Sequence, residues 1–136
     1  MQVQPYLNFD GRTEEALEFY RGAVGAEVEM LMRMGDGPEE YPVAPENKDK
    51  VMHASFKIGD STLMASDCEC QGKSTFAGIS LSVTFGNGEE ATKAFNALAE
   101  GGKVQQPVVE TFFASHFGVV EDRFGVSWMI YVPTPM

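Results

Sequence analysis

Residues 6–28, "YLNFDGRTEEALEFYRGAVGAEV", share a pattern with residues 80–104, "SLSVTFGNGEEATKAFNALAEGGKV". Each stretch runs from a short apolar strand pattern through a turn into a helix that starts with two glutamates and ends at glycine. The comparison aligns Leu7 with Leu81. Self-similarity over this length indicates one supersecondary unit that occurs twice in the chain.

A second pair of segments extends the repeat. Residues 53–66, "HASFKIGDSTLMAS", resemble residues 116–131, "HFGVVEDRFGVSWMIY", and the comparison aligns His53 with His116. The first copy carries an additional loop, 35–50, which is rich in proline and charge and which the second copy lacks. The two histidines of the chain are therefore predicted to occupy equivalent positions.

The chain of 136 residues predicts one domain, 1–136, made of modules 1–70 and 77–136. Each module has a strand pattern, a helix pattern and then three strand patterns, so the predicted class is α+β with two βαβββ modules in tandem. The later strands of the first module are "EVEMLMRM", "VMHASFKI" and "STLMAS", and those of the second are "KVQQPVVE", "SHFGVVE" and "VSWMIYV".

Start and stop signals bound both helices. Gly25 follows the first helix as a C-terminal stop. Asn87, with Glu90 three residues later, resembles a capping box at the start of the second helix, and Gly101 follows its end. In the last hairpin, Gly125 suits a left-handed position of a tight turn.

Composition limits the functional classes. The net charge of −10 opposes binding to nucleic acid or to an anionic membrane surface, so neither is expected as a partner. No apolar run approaches the roughly 18 residues of a membrane-spanning helix, and the N-terminus lacks a signal-peptide pattern. A cytoplasmic protein is predicted.

Cys68 and Cys70, separated by one residue, are predicted to be reduced loop thiols.

Three stretches carry a family resemblance: "PYLNFDGRTEEALEFY", "VMHASFKIGDSTLMASD" and "VVEDRFGVSWMI". The most specific signature is Asp122-x-Phe124-Gly125-x-x-Trp128. Over essentially the whole chain the sequence resembles the vicinal oxygen chelate superfamily, which includes glyoxalase I, extradiol dioxygenases and bleomycin-resistance proteins. Within it, the chain is most similar to the PhnB-like branch, described as 3-demethylubiquinone-9 3-methyltransferase-like. The resemblance implies mixed sheets that curl around a cleft, with the helices outside.

The superfamily usually places a divalent metal in that cleft, with one ligand from the first and one from the last strand of each module. The resemblance puts these ligand positions at Gln4, Met64, Gly78 and Met129. Thioethers are poor ligands for Mg²⁺, Ni²⁺ or Zn²⁺, and glycine has no side chain to offer. We therefore expect no metal and no other cofactor at these positions.

Alternation separates an apolar from a mixed face on the predicted strands, because successive strand residues point to opposite sides. The apolar face, which includes Ile79, Trp128 and Ile130, is predicted to pack under the helices. The mixed face is predicted to line the cleft and bind a ligand through nine residues: Gln4, Tyr6, Asn8, His53, Met64, Ser80, His116, Met129 and Tyr131. The alternative for both histidines is a hydrogen-bonded sheet position or a subunit interface.

Three functions fit these observations. The first is binding of a small molecule in the cleft, without established catalysis. The second is a metal-dependent enzyme of the lyase, isomerase or dioxygenase type, with a non-standard site built from Gln4, His53, His116 or the Cys68/Cys70 loop. The third is drug sequestration of the bleomycin-resistance type. No glycine-rich loop follows a strand and opens a helix, so binding of S-adenosylmethionine is not expected.

A homodimer is predicted from the segment "TFFASHF", residues 111–117. Phe112 and Phe113 are adjacent, so at least one of them must point away from its own sheet face if the segment is extended. An exposed phenylalanine marks a contact surface, and two-fold pairing is the commonest way to cover one. The alternative is that one ring folds under loop 35–50 of the same chain.

Overall fold

The computed structural model describes residues 1–37, 43–67 and 74–134. Cys68, Cys70 and the middle of loop 35–50 lie outside these ranges, so the predictions made for them stay predictions. The chain divides into two compact units, Met1–Ser74 and Thr75–Met136. Each contains, within the described residues, one α-helix and one four-stranded mixed sheet. The predicted α+β class with tandem βαβββ modules is confirmed.

In the first unit the strand order is β1-β4-β3-β2. Strands β1 and β4 are parallel, whereas β3 is antiparallel to both β4 and β2. Two short 3-10 turns, Met34–Asp36 and Pro45–Asn47, lie between β2 and β3. The elements are β1 (Tyr6–Asn8), α1 (Thr13–Val24), β2 (Glu27–Arg33), β3 (Val51–Ile58) and β4 (Ser61–Ser66).

The second unit repeats this topology with the strand order β5-β8-β7-β6. Strands β5 and β8 are parallel, and β7 is antiparallel to both of its neighbours. Its elements are β5 (Leu81–Thr84), α2 (Gly88–Ala99), β6 (Lys103–Val109), β7 (Ala114–Glu121) and β8 (Ser127–Pro133). None of the helices in the described part of the chain is long and apolar enough to cross a membrane.

The predicted helix signals are confirmed. The side chain of Asn87 accepts a hydrogen bond of 2.8 Å from the backbone N–H of Glu90, which satisfies one of the free donors at the start of α2. Gly25 ends α1 in the left-handed conformation, with φ of 71°, and Gly125 has φ of 90° in the last hairpin turn. Glycine adopts these angles without the steric cost that a Cβ atom adds.

The predicted apolar face forms the core of each unit, where α1 packs on β3 and α2 on β7 and β8. Trp128 is 1% exposed, which confirms its prediction as a core residue. Ile79 is 61% exposed, so its predicted place in the core is wrong. It precedes β5, which begins at Leu81, and therefore lacks the strand pairing that would direct its side chain inwards. Leu7, Phe9, Leu63 and Ile130 of this face are buried, whereas Leu81, Val83 and Val132 are half-buried.

Strand pairing corrects the alignment of the two modules at their first strands. The last strands align as the sequence predicts, with Ala65 equivalent to Ile130. Leu7 pairs with Ala65, whereas Val83 pairs with Ile130. Leu7 is therefore equivalent to Val83, and the predicted alignment with Leu81 is wrong by two residues. A slip of two residues keeps each side chain on the same face, so the predicted faces of these strands survive the error.

The signature around Trp128 is explained by a buried carboxylate. Asp122 is 2% exposed, and its Oδ1 accepts hydrogen bonds from the backbone N–H groups of Phe124 and Val126, at 2.8 and 3.0 Å. Its Oδ2 accepts the indole N–H of Trp128 at 2.8 Å. One side chain thus closes the β7–β8 turn and fixes the largest core residue.

A second buried carboxylate anchors the helix of the first unit. Asp67 follows β4 and is 4% exposed. Its Oδ1 accepts the backbone N–H groups of Gly11 and Thr13, at 3.0 and 2.9 Å, and its Oδ2 accepts the N–H of Val51 at 3.0 Å. The negative charge lies at the positive end of α1, where the helix dipole stabilises it.

We predict that Asp122→Ala and Asp67→Ala each destabilise the protein by about 3 kcal/mol, because each leaves three donors without their acceptor. Chemical denaturation measures the change in the free energy of unfolding. Asp60→Ala, in the exposed β3–β4 turn, is the matched control and should change stability little. Equal effects for all three variants would contradict the assigned role of the buried carboxylates.

An ion pair joins the helix of the first unit to the edge of its sheet. Nη1 and Nη2 of Arg33 contact Oε1 and Oε2 of Glu14 at 2.8 and 2.9 Å. The hydrogen bonds from Arg33 lower the pKa of Glu14 below its ordinary value of 4.5. A lowered pKa in the folded state means that the pair stabilises the fold above the ordinary pKa, and that this contribution is lost as the pH falls through the folded-state value.

We predict that Arg33→Gln raises the pKa of Glu14 towards its ordinary value, which a carboxyl NMR titration measures. The difference in melting temperature between wild type and variant should shrink as the pH falls below 4.5. Arg21→Gln, which removes the partner of Glu18 instead, is the control and should leave the Glu14 titration unchanged. A pH-independent difference would show that the ion pair is not its source.

Phe112 is 95% exposed, whereas Phe113 packs edge-on against Phe117 with ring centroids 5.3 Å apart. Association of two copies through Phe112 stays a proposal. It predicts a mass in light scattering of twice the 14.9 kDa chain, and Phe112→Glu should reduce that mass without lowering the melting temperature. Phe113→Glu is the comparison, since it should destabilise the fold. A wild-type mass of one chain would contradict the proposal.

Candidate ligand-binding site

The polar face of the first sheet, defined as the side opposite α1, brings predicted site residues together on two adjacent rows. Paired residues on neighbouring strands point to the same side, so the register identifies the members of each row. The first row holds Tyr6, Met64, Ser55 and Met30, and the second holds Asn8, Ser66, His53 and Met32. The two β2 methionines were not among the predicted site residues, although they alternate along "EVEMLMRM" and so share one side of that strand.

Tyr6 and His53 form the polar centre of this face. The Tyr6 hydroxyl lies 3.0 Å from Nδ1 of His53, and the two ring centroids are 5.6 Å apart. Tyr6 is 43% exposed and His53 is half-buried, so a ligand on this side of the sheet can reach both rings. The hydrogen bond fixes the orientation of the imidazole and turns Nε2 away from Tyr6.

A second polar pair lies beside the first. Ser66 donates its hydroxyl to Oδ1 of Asn8 at 3.2 Å, and Ser66 is only 6% exposed. The bond holds the amide of Asn8 with its oxygen towards Ser66. Ser66 follows the core residue Ala65 and shares this face with Asn8, but it was not among the predicted site residues.

The polar face of the second sheet carries three more of the predicted residues. Met129 pairs with Ser82, and Tyr131 pairs with Thr84. Both are half-buried and belong, as predicted, to the side opposite α2. Ser80 lies just before β5, is exposed, and donates its hydroxyl to Ser127 at 2.9 Å.

His116 does not belong to this polar face, and its prediction as the counterpart of His53 is wrong. It pairs with Val132, on the helix side of the sheet, and its ring lies against the start of α2, where a Cβ atom added to Gly88 would overlap it. Its Nδ1 lies 3.0 Å from the Ser115 hydroxyl. The true counterpart of His53 is Phe117, one residue further along.

The prediction for His116 is wrong because the sequence comparison misaligned the two modules by one residue at this strand. In the first unit Ser55 pairs with Met64, and in the second Val119 pairs with Met129, so Ser55 and Val119 are equivalent. Counting two residues back from each gives His53 and Phe117. An error of one residue moves a side chain to the opposite face of the sheet.

The superfamily's metal positions are occupied by residues that do not suit its usual metals. Gln4 is half-buried beside β1, and the two-residue correction makes Ser80, rather than Gly78, its counterpart. These four positions offer one amide, one hydroxyl and the thioethers of Met64 and Met129. None of these groups is an imidazole or a carboxylate, the ligands that hold Zn²⁺, Ni²⁺ or Mg²⁺. Among the described residues, no three His, Cys, Asp or Glu side chains cluster as a metal site.

Tandem βαβββ units with a polar sheet face opposite each helix define the glyoxalase/bleomycin-resistance fold of the vicinal oxygen chelate superfamily. A solved glyoxylase/bleomycin resistance protein/dioxygenase domain from Frankia sp. EAN1pec shares this fold, with a TM-score of 0.69 and 13% identity over 98% of this chain and 93% of that domain. The model of the 3-demethylubiquinone-9 3-methyltransferase family matches residues 1–131, and the chain belongs to that family, the PhnB-like branch.

Individual relatives agree with this assignment. Protein YjdN of Escherichia coli is 34% identical, over 97% of this chain and 95% of its own length. The crystal structure of protein PA1353 from Pseudomonas aeruginosa is 41% identical and covers 99% of both chains, with a TM-score of 0.86. A PhnB protein from Bacillus cereus is 28% identical, over 97% of this chain and 99% of its own, with a TM-score of 0.77.

Proposed function

We propose that this protein binds a small molecule on the polar face of its first sheet. The observation that carries the proposal is the Tyr6–His53 pair, two ring side chains held together by a hydrogen bond and open to a ligand on one side. A polar pair of this kind on a partly apolar surface is the usual composition of a ligand site. The proposed activity is recognition, and no reaction is assigned to the site.

The methionines determine what kind of molecule fits. Met30 and Met32 are 40% and 36% exposed on the same two rows as Tyr6 and His53, and Met64 lies between the strands that carry these rings. Thioether side chains are flexible and polarisable, and they make favourable contacts with aromatic rings. The face therefore suits a ligand with a flat apolar body and a polar substituent that reaches the central pair.

The proposal predicts where ligands bind. A library of small aromatic fragments titrated into isotopically labelled protein should shift the NMR signals of Tyr6, Asn8, His53 and Met64 more than those of the helices. We expect His53→Ala to weaken the binding of these fragments roughly three- to tenfold, the loss of one hydrogen bond to a ligand. Native mass spectrometry of protein purified under mild conditions identifies any ligand carried from the cell.

His116→Gln is the matched control, because it alters the other histidine of the chain on the helix side of its sheet. It should leave fragment affinity unchanged. If fragments shifted only residues outside the polar face of the first sheet, or bound equally well to His53→Ala, the proposal would be wrong.

A further inference from the structure

The tautomer of His53 follows from its bond to Tyr6. A phenol hydroxyl is a good donor, and the unprotonated nitrogen of a neutral imidazole is a good acceptor. The two atoms are 3.0 Å apart, and a Tyr6 hydroxyl that donates to Nδ1 requires the imidazole proton of neutral His53 to reside on Nε2. In this state the side of the ring that faces away from Tyr6 offers a hydrogen-bond donor.

The side-chain amide of Asn8 also offers hydrogen-bond donors. Its Oδ1 is used by the Ser66 hydroxyl, which leaves the two N–H bonds of Nδ2 to point elsewhere. Asn8 pairs with Ser66, and His53 lies on the next strand of the same row. The row therefore carries the Asn8 amide on β1 and the His53 imidazole on β3, with Ser66 on β4 between them.

In the part of the chain that the structure describes, the rows that carry His53 and Asn8 have no negative side chain that would repel an acceptor oxygen of a ligand. The two rows that hold Tyr6 and His53 contain no carboxylate among their described residues. The next row holds Lys57, paired with Thr62 on one side and with Glu27 on the other. In a chain with a net charge of −10, the described residues of the two rows that hold Tyr6 and His53 carry no negative charge.

We infer that the polar face of the first sheet recognises an acceptor oxygen of its ligand, of the carboxylate or carbonyl class, through Nε2–H of His53 and Nδ2–H of Asn8. This inference rests on the proposed function, since it names the chemical group that the same face would take. Tyr6 acts as a positioning residue, because it keeps the Nε2 tautomer of His53 without contacting the acceptor itself.

The tautomer can be measured without any ligand. Two-bond ¹⁵N correlation spectra at a pH where His53 is neutral should show a protonated Nε2 and an unprotonated Nδ1. In Tyr6→Phe the hydrogen bond is lost, and the nitrogen shifts should move towards those of a mixture of tautomers. A protonated Nδ1 in the wild-type protein would overturn the inference while leaving small-molecule binding intact.

Binding selectivity is the second test, with benzoate and benzylamine as probes of the same size and opposite charge. Wild-type protein should bind benzoate at least tenfold more tightly than benzylamine, with NMR shifts at His53 and Asn8. Asn8→Asp keeps the acceptor for Ser66 but replaces the donors by a negative charge, so it should weaken benzoate binding at least tenfold. Asn96→Asp makes the same change on the exposed side of α2 and is the control.

The outcomes separate this inference from the function on which it rests. Preference for benzylamine at this face would overturn the inference and still support ligand binding there. Equal losses in Asn8→Asp and Asn96→Asp would also overturn it, because net charge alone would then explain the effect. Failure of both probes and of all aromatic fragments to bind the face would refute the proposed function, and the inference with it.

Discussion

The carboxylate of Asp122 is the interaction on which the second unit depends. It accepts two backbone donors of the β7–β8 turn and the indole N–H of Trp128, all from a position that is 2% exposed. A buried charge is stable only when its lone pairs are satisfied, so the turn and the tryptophan must adopt this arrangement together. The hairpin register that follows decides which side chains of β8 face the helix and which form the polar face.

Sequence patterns were sufficient for the fold because its determinants are local and redundant. The helix cap at Asn87, the stop at Gly25 and the alternation of β4 and β8 each act within a few residues. The repeat added a second, independent copy of the same signals, so an ambiguous strand in one module was supported by its counterpart. Ile79 shows the limit of this reasoning, because the alternation continued past the residue at which pairing begins.

The candidate site was harder to predict, because it depends on register to the single residue. The two-residue error at Leu7 left every face assignment correct, whereas the one-residue error at His116 moved a predicted ligand-binding residue to the helix side. The hydrogen-bond partners of the site residues could not be predicted from the sequence. Nothing in the spacing of Tyr6 and His53 indicates that their side chains meet, since the contact joins strands 47 residues apart.

The chemistry of the polar face differs from that of a metal centre built on the same strands. A divalent metal needs several anionic or imidazole donors aimed at one point, and at the corresponding positions this chain has Gln4, Met64, Ser80 and Met129. Methionines instead provide an adaptable apolar surface, and the polar contacts come from pairs that fix each other's orientation. In the tautomer inferred for His53, Tyr6 and Ser66 satisfy the acceptors of His53 and Asn8, so the unused polar atoms of His53 and Asn8 are donors. In place of a metal ion, the proposed site of this chain uses these donors to bind a ligand oxygen.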